Sequence, residues 1–300
     1  MVVFSYVAYG LGIQSEVQLP ELIEGQAPTE LTIRRGKVLN PPDVADGEFW
    51  GIRCDDDRVI LFSKQVGAFE IRNGQEIVID PIPGLPDELL RFYLLTQPIV
   101  SVLHQRGFLL LHASAVSIDG KAAVFVGRKR CGKSTIAALL CERGHDLLCD
   151  DIAAVLCESP IPMLVPGFPQ LKLWPDTVVS LGETPEEFHR LHPGFEKRAR
   201  PVFQKFSYEA VPIGCIYVLE QGDGQKIGVL NSRETCMMLV RHSRALHQVA
   251  RTREEPRHLF KFADLSERVL ARKLVSPHSL KDLPSFVDFI ERDFLCQQDL

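Results

Sequence analysis

The run Gly127-Arg128-Lys129-Arg130-Cys131-Gly132-Lys133-Ser134-Thr135 fits the pattern G-x4-G-K-[ST] in full. These residue types are suited to holding a chain of phosphates. Glycines let backbone N–H groups curl round an anion, and a helix that begins where the loop ends adds partial positive charge. Lys133 would reach the outer phosphates, and the Ser134 hydroxyl would ligate Mg²⁺. Arg128, Lys129 and Arg130 either touch nucleotide or acidic substrate, or face solvent. Cys131 lies inside the loop, where its oxidation would obstruct a bound nucleotide.

Asp150-Asp151 follows the apolar run Leu147-Leu148-Cys149. A carboxylate pair at the end of the next strand sits where a phosphoryl acceptor would lie. One carboxylate could take the acceptor's proton and the other could help hold a metal. His112, within Leu111-His112-Ala113-Ser114-Ala115-Val116, is either a satisfied core histidine or a third member of the site. Lys197-Arg198-Ala199-Arg200 either places a cation over the phosphates or forms a solvated basic turn. Trp174, between Leu173 and Pro175, reads as a packing residue in preference to an adenine platform.

The elements around these residues must position them. Ala122–Val126 is a buried-strand run leading into the loop, and residues 134–143 form a helix with Gly144 as its C-cap. Upstream, residues 1–84 read as a β-rich domain: Phe4–Ala8, Leu31–Ile33, Gly51–Cys54, Arg58–Phe62, Phe69–Arg72 and Glu76–Ile79 alternate with turn clusters. Asn73-Gly74 between two such runs signals a hairpin. Residues 85–300 form the second domain, opening on a helix from Asp87 to Gln105 that Pro98 should kink or split. Residues 159–206 read as loops over a site, and strands follow at Cys215–Leu219 and Lys226–Leu230. A helix opens on a capping box at Asn231 and runs to about His247. Further helices are expected at Glu255–Leu270 and Phe286–Leu295.

With these residues in view, the chain resembles the HPr kinase/phosphorylase family. It is more similar still to the shorter HPr-kinase-like serine kinases, some of which accompany lasso-peptide biosynthesis. The resemblance runs through His112-Ala-Ser-Ala-Val116, the loop, Arg143-Gly144-His145 and Asp150-Asp151. A weaker likeness continues through residues 167–175 and Lys197-Arg198.

The resemblance implies an α/β chain with a mixed sheet and a P-loop kinase core related to phosphoenolpyruvate carboxykinase, behind a β-rich N-terminal region. It implies ATP and Mg²⁺ as cofactors, with Asp150 the base on the acceptor hydroxyl, Asp151 beside it toward the metal, and His112 near the phosphates. The implied partner is a peptide or small protein with an acceptor serine, and self-association into a homo-oligomer is left open. One departure stands out. Where the HPr enzymes carry a metal-binding Glu, an apolar residue and an Arg, this chain has Gln170-Leu171-Lys172. A neutral amide holds Mg²⁺ less strongly than a carboxylate, which counts against a second metal and a reverse phosphorylase reaction. Two other readings remain: a nucleotide-gated peptide-binding scaffold, and a kinase of a small alcohol such as free serine.

Bulk composition narrows the classes. Among the 300 residues, 45% are hydrophobic and 24% charged, enough for a sizeable core, and the net charge of -5 argues against a chain-wide hold on nucleic acid. No run approaches the roughly 20 apolar residues of a membrane helix, and no signal peptide is visible, so a cytoplasmic chain without membrane attachment is expected. Eight cysteines show no CxxC spacing and no zinc-ligand pattern.

Overall fold

The computed structural model describes residues 2–55, 57–222, 224–244, 255–276 and 282–297, without the side chains of 255–258. The chain divides into two compact units: Met1–Leu110 with Arg244–His258, and Leu111–Ser243 with Leu259–Leu300.

The first unit is built on strands β1 (Phe4–Ala8), β2 (Leu11–Ser15), β3 (Ile23–Glu24), β4 (Thr29–Arg35), β5 (Gly51–Cys54), β6 (Arg58–Ser63), β7 (Gly67–Arg72) and β8 (Glu76–Pro81). They form one sheet in the order β3-β1-β2-β4-β8-β7-β6-β5. Two hairpins turn on a pair of residues at positive φ: Tyr9-Gly10 (54° and 70°), the whole of a two-residue turn, and Asn73-Gly74 (52° and 63°), followed by Gln75 before the strands pair again at Arg72 and Glu76. This is the primed geometry whose twist matches that of the flanking strands. The Asn-Gly signal was legible; the Tyr-Gly turn and β2 were not, because Tyr is a poor marker of left-handed backbone.

The helix expected from Asp87 to Gln105 is split, as the proline suggested, into α1 (Asp87–Leu94) and α2 (Gln97–Gln105). Pro98 falls in the first turn of α2, where its missing N–H is no loss. The sequence placed a domain boundary at residue 84, whereas the first unit runs on to Leu110. Burial explains the difference: α2 packs on β7, with Val100, Val102 and Leu103 fully buried.

The second unit contains β10 (Ala113–Ile118), after the short β9 (Leu109–Leu111) that spans the boundary, then β11 (Lys121–Gly127), α3 (Lys133–Glu142), β12 (Asp146–Asp150), β13 (Ala153–Leu156), β14 (Met163–Val165) and β15 (Gln170–Leu173). There follow α4 (Pro175–Ser180), β16 (Arg190–His192), β17 (Phe195–Pro201), β18 (Val211–Gln221), β19 (Lys226–Val229), α5 (Ser232–Arg241), α6 (Glu255–Arg268), β20 (Ala271–Ser276) and α7 (Leu283–Cys296). The main sheet runs β12-β10-β11-β18-β14-β13, with β20 on β18 and β19 on β20. It is mixed: β11–β18 and β18–β20 are parallel, while β10 pairs antiparallel with both β11 and β12. The fold is therefore mixed α/β.

Strand β11 sits inside this sheet, which is why Ala122–Val126 reads as an unbroken apolar run, all of it buried. The stretch read as loops carries α4 and a small sheet, β15-β17-β16; Pro and Gly cut it into pieces too short to show a period. The capping box at Asn231 is formed. Helix α5 ends at Arg241, and residues 245–247 of the expected helix lie outside the described residues.

Helix α7 is fastened from two sides. Arg143 bonds Asp288 at 2.6 Å and also pairs with Glu291, whose other oxygen meets His145 Nε2 at 2.7 Å. From the sheet, Tyr217 donates to Asp293 at 2.7 Å and Arg272 pairs with the same carboxylate. Among the described residues, no helix is long and apolar enough to cross a membrane.

Candidate active site

Strand β11 delivers the chain into the 127–135 loop, and α3 leaves it. A Cβ at position 127 would lie 2.6 Å from Cys131 Sγ and 2.9 Å from the Leu219 carbonyl oxygen, so this corner requires glycine. Arg130 and Gly132 take positive φ of 69° and 95°. Gly132 is the N-cap of α3 and offers no side chain to the first N–H groups of the helix; an anion would satisfy them. Lys133 is nearly buried, and its Nζ donates to the carbonyls of Gly127 at 2.9 Å and Arg128 at 3.2 Å. The ammonium thus lies across the loop it would share with a phosphate chain.

Asp150 closes β12 opposite Ser114 of β10. Its Oδ1 accepts from Ser114 Oγ at 2.5 Å and Ser134 Oγ at 2.8 Å, and its Oδ2 accepts from the Lys172 amide at 2.7 Å. Consecutive strand residues normally face opposite sides. Asp151 escapes that alternation through a positive φ of 81°, so both carboxylates line one cleft. Such a conformation in a non-glycine residue costs about 1–3 kcal/mol and is tolerated where surrounding contacts enforce it. Here they do: Asp151 Oδ1 lies 2.9 Å from His112 Nδ1, and Oδ2 lies 2.9 Å from Lys172 Nζ. His112 occupies the break between β9 and β10, and its amide donates to the His242 carbonyl at 2.7 Å.

The cleft has a volume of about 650 Å³. Of the residues singled out from sequence, His112, Lys129, Arg130, Cys131, Gly132, Lys133, Ser134, Thr135, Asp150, Asp151 and Lys197 line it. Gly127 shapes the loop from behind, and Arg128 contributes a carbonyl. Arg198 turns the other way, donating to the carbonyls of Pro185 and Glu196; it follows Lys197 on a strand, so the two must face opposite sides. Burial lowers the Lys197 ammonium pKa, with Asp150 and Asp151 opposing that shift. Trp174 is a wall of the cleft, with the Arg130 guanidinium 4.6 Å and the Lys197 ammonium 5.8 Å from its ring centre. Burial raises the Cys131 pKa despite nearby Lys133, which disfavours the oxidisable thiolate.

Sequence reasoning did not assign a role to Ser114, Lys172 or Thr177, the last of which bonds Thr135 at 3.1 Å. Ser114 lies two residues after His112 and could have been found from that spacing; Lys172 stands where the HPr enzymes carry an Arg, which pointed to a cation there but not to its carboxylate partners. Arg143 and His145, conspicuous beside the loop, belong to the α7 anchor. Among the described residues, no cluster of three or more His, Cys, Asp or Glu side chains is placed to hold a metal.

No family model matches this chain, and no curated protein does. Among solved structures it is similar to the HPr(Ser) kinase/phosphatase from Coxiella burnetii, at 12% identity and a TM-score of 0.37, over 64% of this chain and 99% of that one. Likeness at this level leaves the chemistry to be read from the residues of the cleft.

Proposed function

We propose that this chain is a kinase that transfers the γ-phosphoryl group of ATP to a serine-type hydroxyl of a peptide or small protein. The observation that carries the reading is the Ser134–Asp150 hydrogen bond. It ties the start of α3, where phosphates would bind, to a carboxylate pair whose second member faces the same cleft.

The hydrogen bonds favour a division of labour opposite to the one drawn from sequence. Asp150 is engaged through both oxygens and holds the Ser134 hydroxyl, so it belongs to the nucleotide side. Asp151 is also engaged, by His112 at one oxygen and Lys172 at the other, but neither partner belongs to the phosphate loop, which leaves it the better base. Ser134 and Asp150 offer hard oxygen donors that suit Mg²⁺, an ion usually held by one or two protein oxygens together with substrate phosphates and water. When bound, the ion would neutralise charge on the phosphates. Lys133 would exchange its loop carbonyls for phosphate oxygens. As the acceptor oxygen bonds to the γ-phosphorus, Asp151 takes its proton, and the bond to the bridging oxygen of ADP breaks. His112 holds Asp151 in position. The assistance is mainly positioning and fixed charge.

Purified protein incubated with γ-labelled ATP and Mg²⁺ should label serine-bearing peptides, and the Asp151→Asn variant should not. Transfer only to free serine would make this a small-molecule kinase. Nucleotide binding with no transfer to any acceptor would instead favour a nucleotide-gated scaffold.

A further inference from the structure

We propose that Lys172 is a built-in cation that occupies the Asp151 side of the cleft, so that the chain takes up a single divalent ion with its nucleotide. This rests on the kinase reading above and adds a metal count to it. Lys172 lies on β15, held antiparallel to β17 with Lys172 opposite Ala199. Its side chain is 9% exposed. One residue touches both carboxylates: the amide donates to Asp150 Oδ2 and the ammonium meets Asp151 Oδ2.

An ammonium is buried at a large desolvation cost unless it is paired. The Asp151 carboxylate is the pair, and a strand in a sheet holds it there. With Lys172 on one oxygen and His112 on the other, a second divalent ion at Asp151 would have to displace one of these partners, while each oxygen keeps a lone pair for the acceptor's proton. Such an ion would also sit close to a fixed positive charge in a poorly solvated cleft, where repulsion is weakly screened. Lys197, also facing Asp150 and Asp151, adds to the positive field. Gln170, two residues before Lys172 on the same strand, does not line the cleft, so no side-chain oxygen from that position compensates. Lys172 would then supply during transfer the charge that a second ion supplies in a two-metal site.

The test is equilibrium binding of Mn²⁺ to the full chain, counted by electron paramagnetic resonance with a saturating non-hydrolysable ATP analogue. Nucleotide affinity is measured separately by calorimetry. Wild type and Lys172→Arg should each take up a single Mn²⁺ per bound nucleotide. Lys172→Glu, which removes the cation and adds a carboxylate, should take up a second, and Lys172→Gln should do so more weakly. Two ions on wild type, or one on a Lys172→Glu protein that melts cooperatively and binds nucleotide, would overturn the inference while leaving the kinase reading standing. Failure of wild type to bind nucleotide would remove both.

Discussion

Two of the charged clusters among the described residues, one in each unit, differ in burial. Across β4, β6, β7 and β8 of the first unit, Arg34 pairs with Glu76 at 2.6 Å, Glu76 with Arg72 at 3.0 Å, Arg72 with Glu70 at 2.8 Å and Glu70 with Arg58 at 3.5 Å. The arginines are 38–43% exposed. Exposed pairs contribute about 0–1 kcal/mol each; Glu70, 6% exposed, is the buried member and is paired with two arginines that reach solvent, which keeps Arg58 and Arg72, directly opposite across β6–β7, from facing each other uncompensated. In the second unit, Lys133, Asp150 and Lys172 are each below 10% exposed. Burying them costs several kcal/mol per ion before pairing, and apolar residues would fill the space more cheaply. On the proposed reading, the difference separates charge that sets register from charge held for chemistry.

Substitutions can break that comparison. The largest effect is expected from Asp151→Asn, which should lower turnover by about 10²–10⁴-fold with nucleotide affinity nearly unchanged; retained turnover would remove Asp151 as the base. Lys133→Met should lower turnover by about 10²–10³-fold and, unlike Asp151→Asn, also weaken nucleotide binding by calorimetry. Glu70→Gln, which neutralises a 6%-exposed carboxylate paired with two arginines, should cost about 1–3 kcal/mol in urea unfolding and leave turnover alone, and a catalytic defect there would erase the distinction between the two regions.

The smallest effect concerns His242. Burial, with Lys133, Arg241, His112 and Arg128 adding to it, depresses its pKa from 6.5 to about 4. The folded chain therefore binds fewer protons than the unfolded chain between those values. Its contribution to stability is complete above pH 6.5 and is lost as pH falls toward 4. Melting temperatures across this range should fall less steeply for His242→Gln than for wild type; parallel slopes would assign the acid sensitivity elsewhere.

Local signals were legible wherever neighbours in sequence do the work. The 127–135 loop, the Asn73-Gly74 turn, the Pro98 break and the Asn231 capping box each depend on backbone preferences within a few residues, so the sequence by itself determined them. The roles of Asp150 and Asp151 were different: as adjacent residues of one type, they are indistinguishable in sequence. The register of β10 against β12, the left-handed turn at Asp151 and the approach of β15 decide which oxygen meets Ser134 and which meets His112 and Lys172. Arg143 and His145 teach the same lesson in reverse, since their partners lie on a helix near the end of the chain. Hydrogen-bond partners brought from distant segments leave no periodicity and no spacing to read, so only the tertiary structure could assign them.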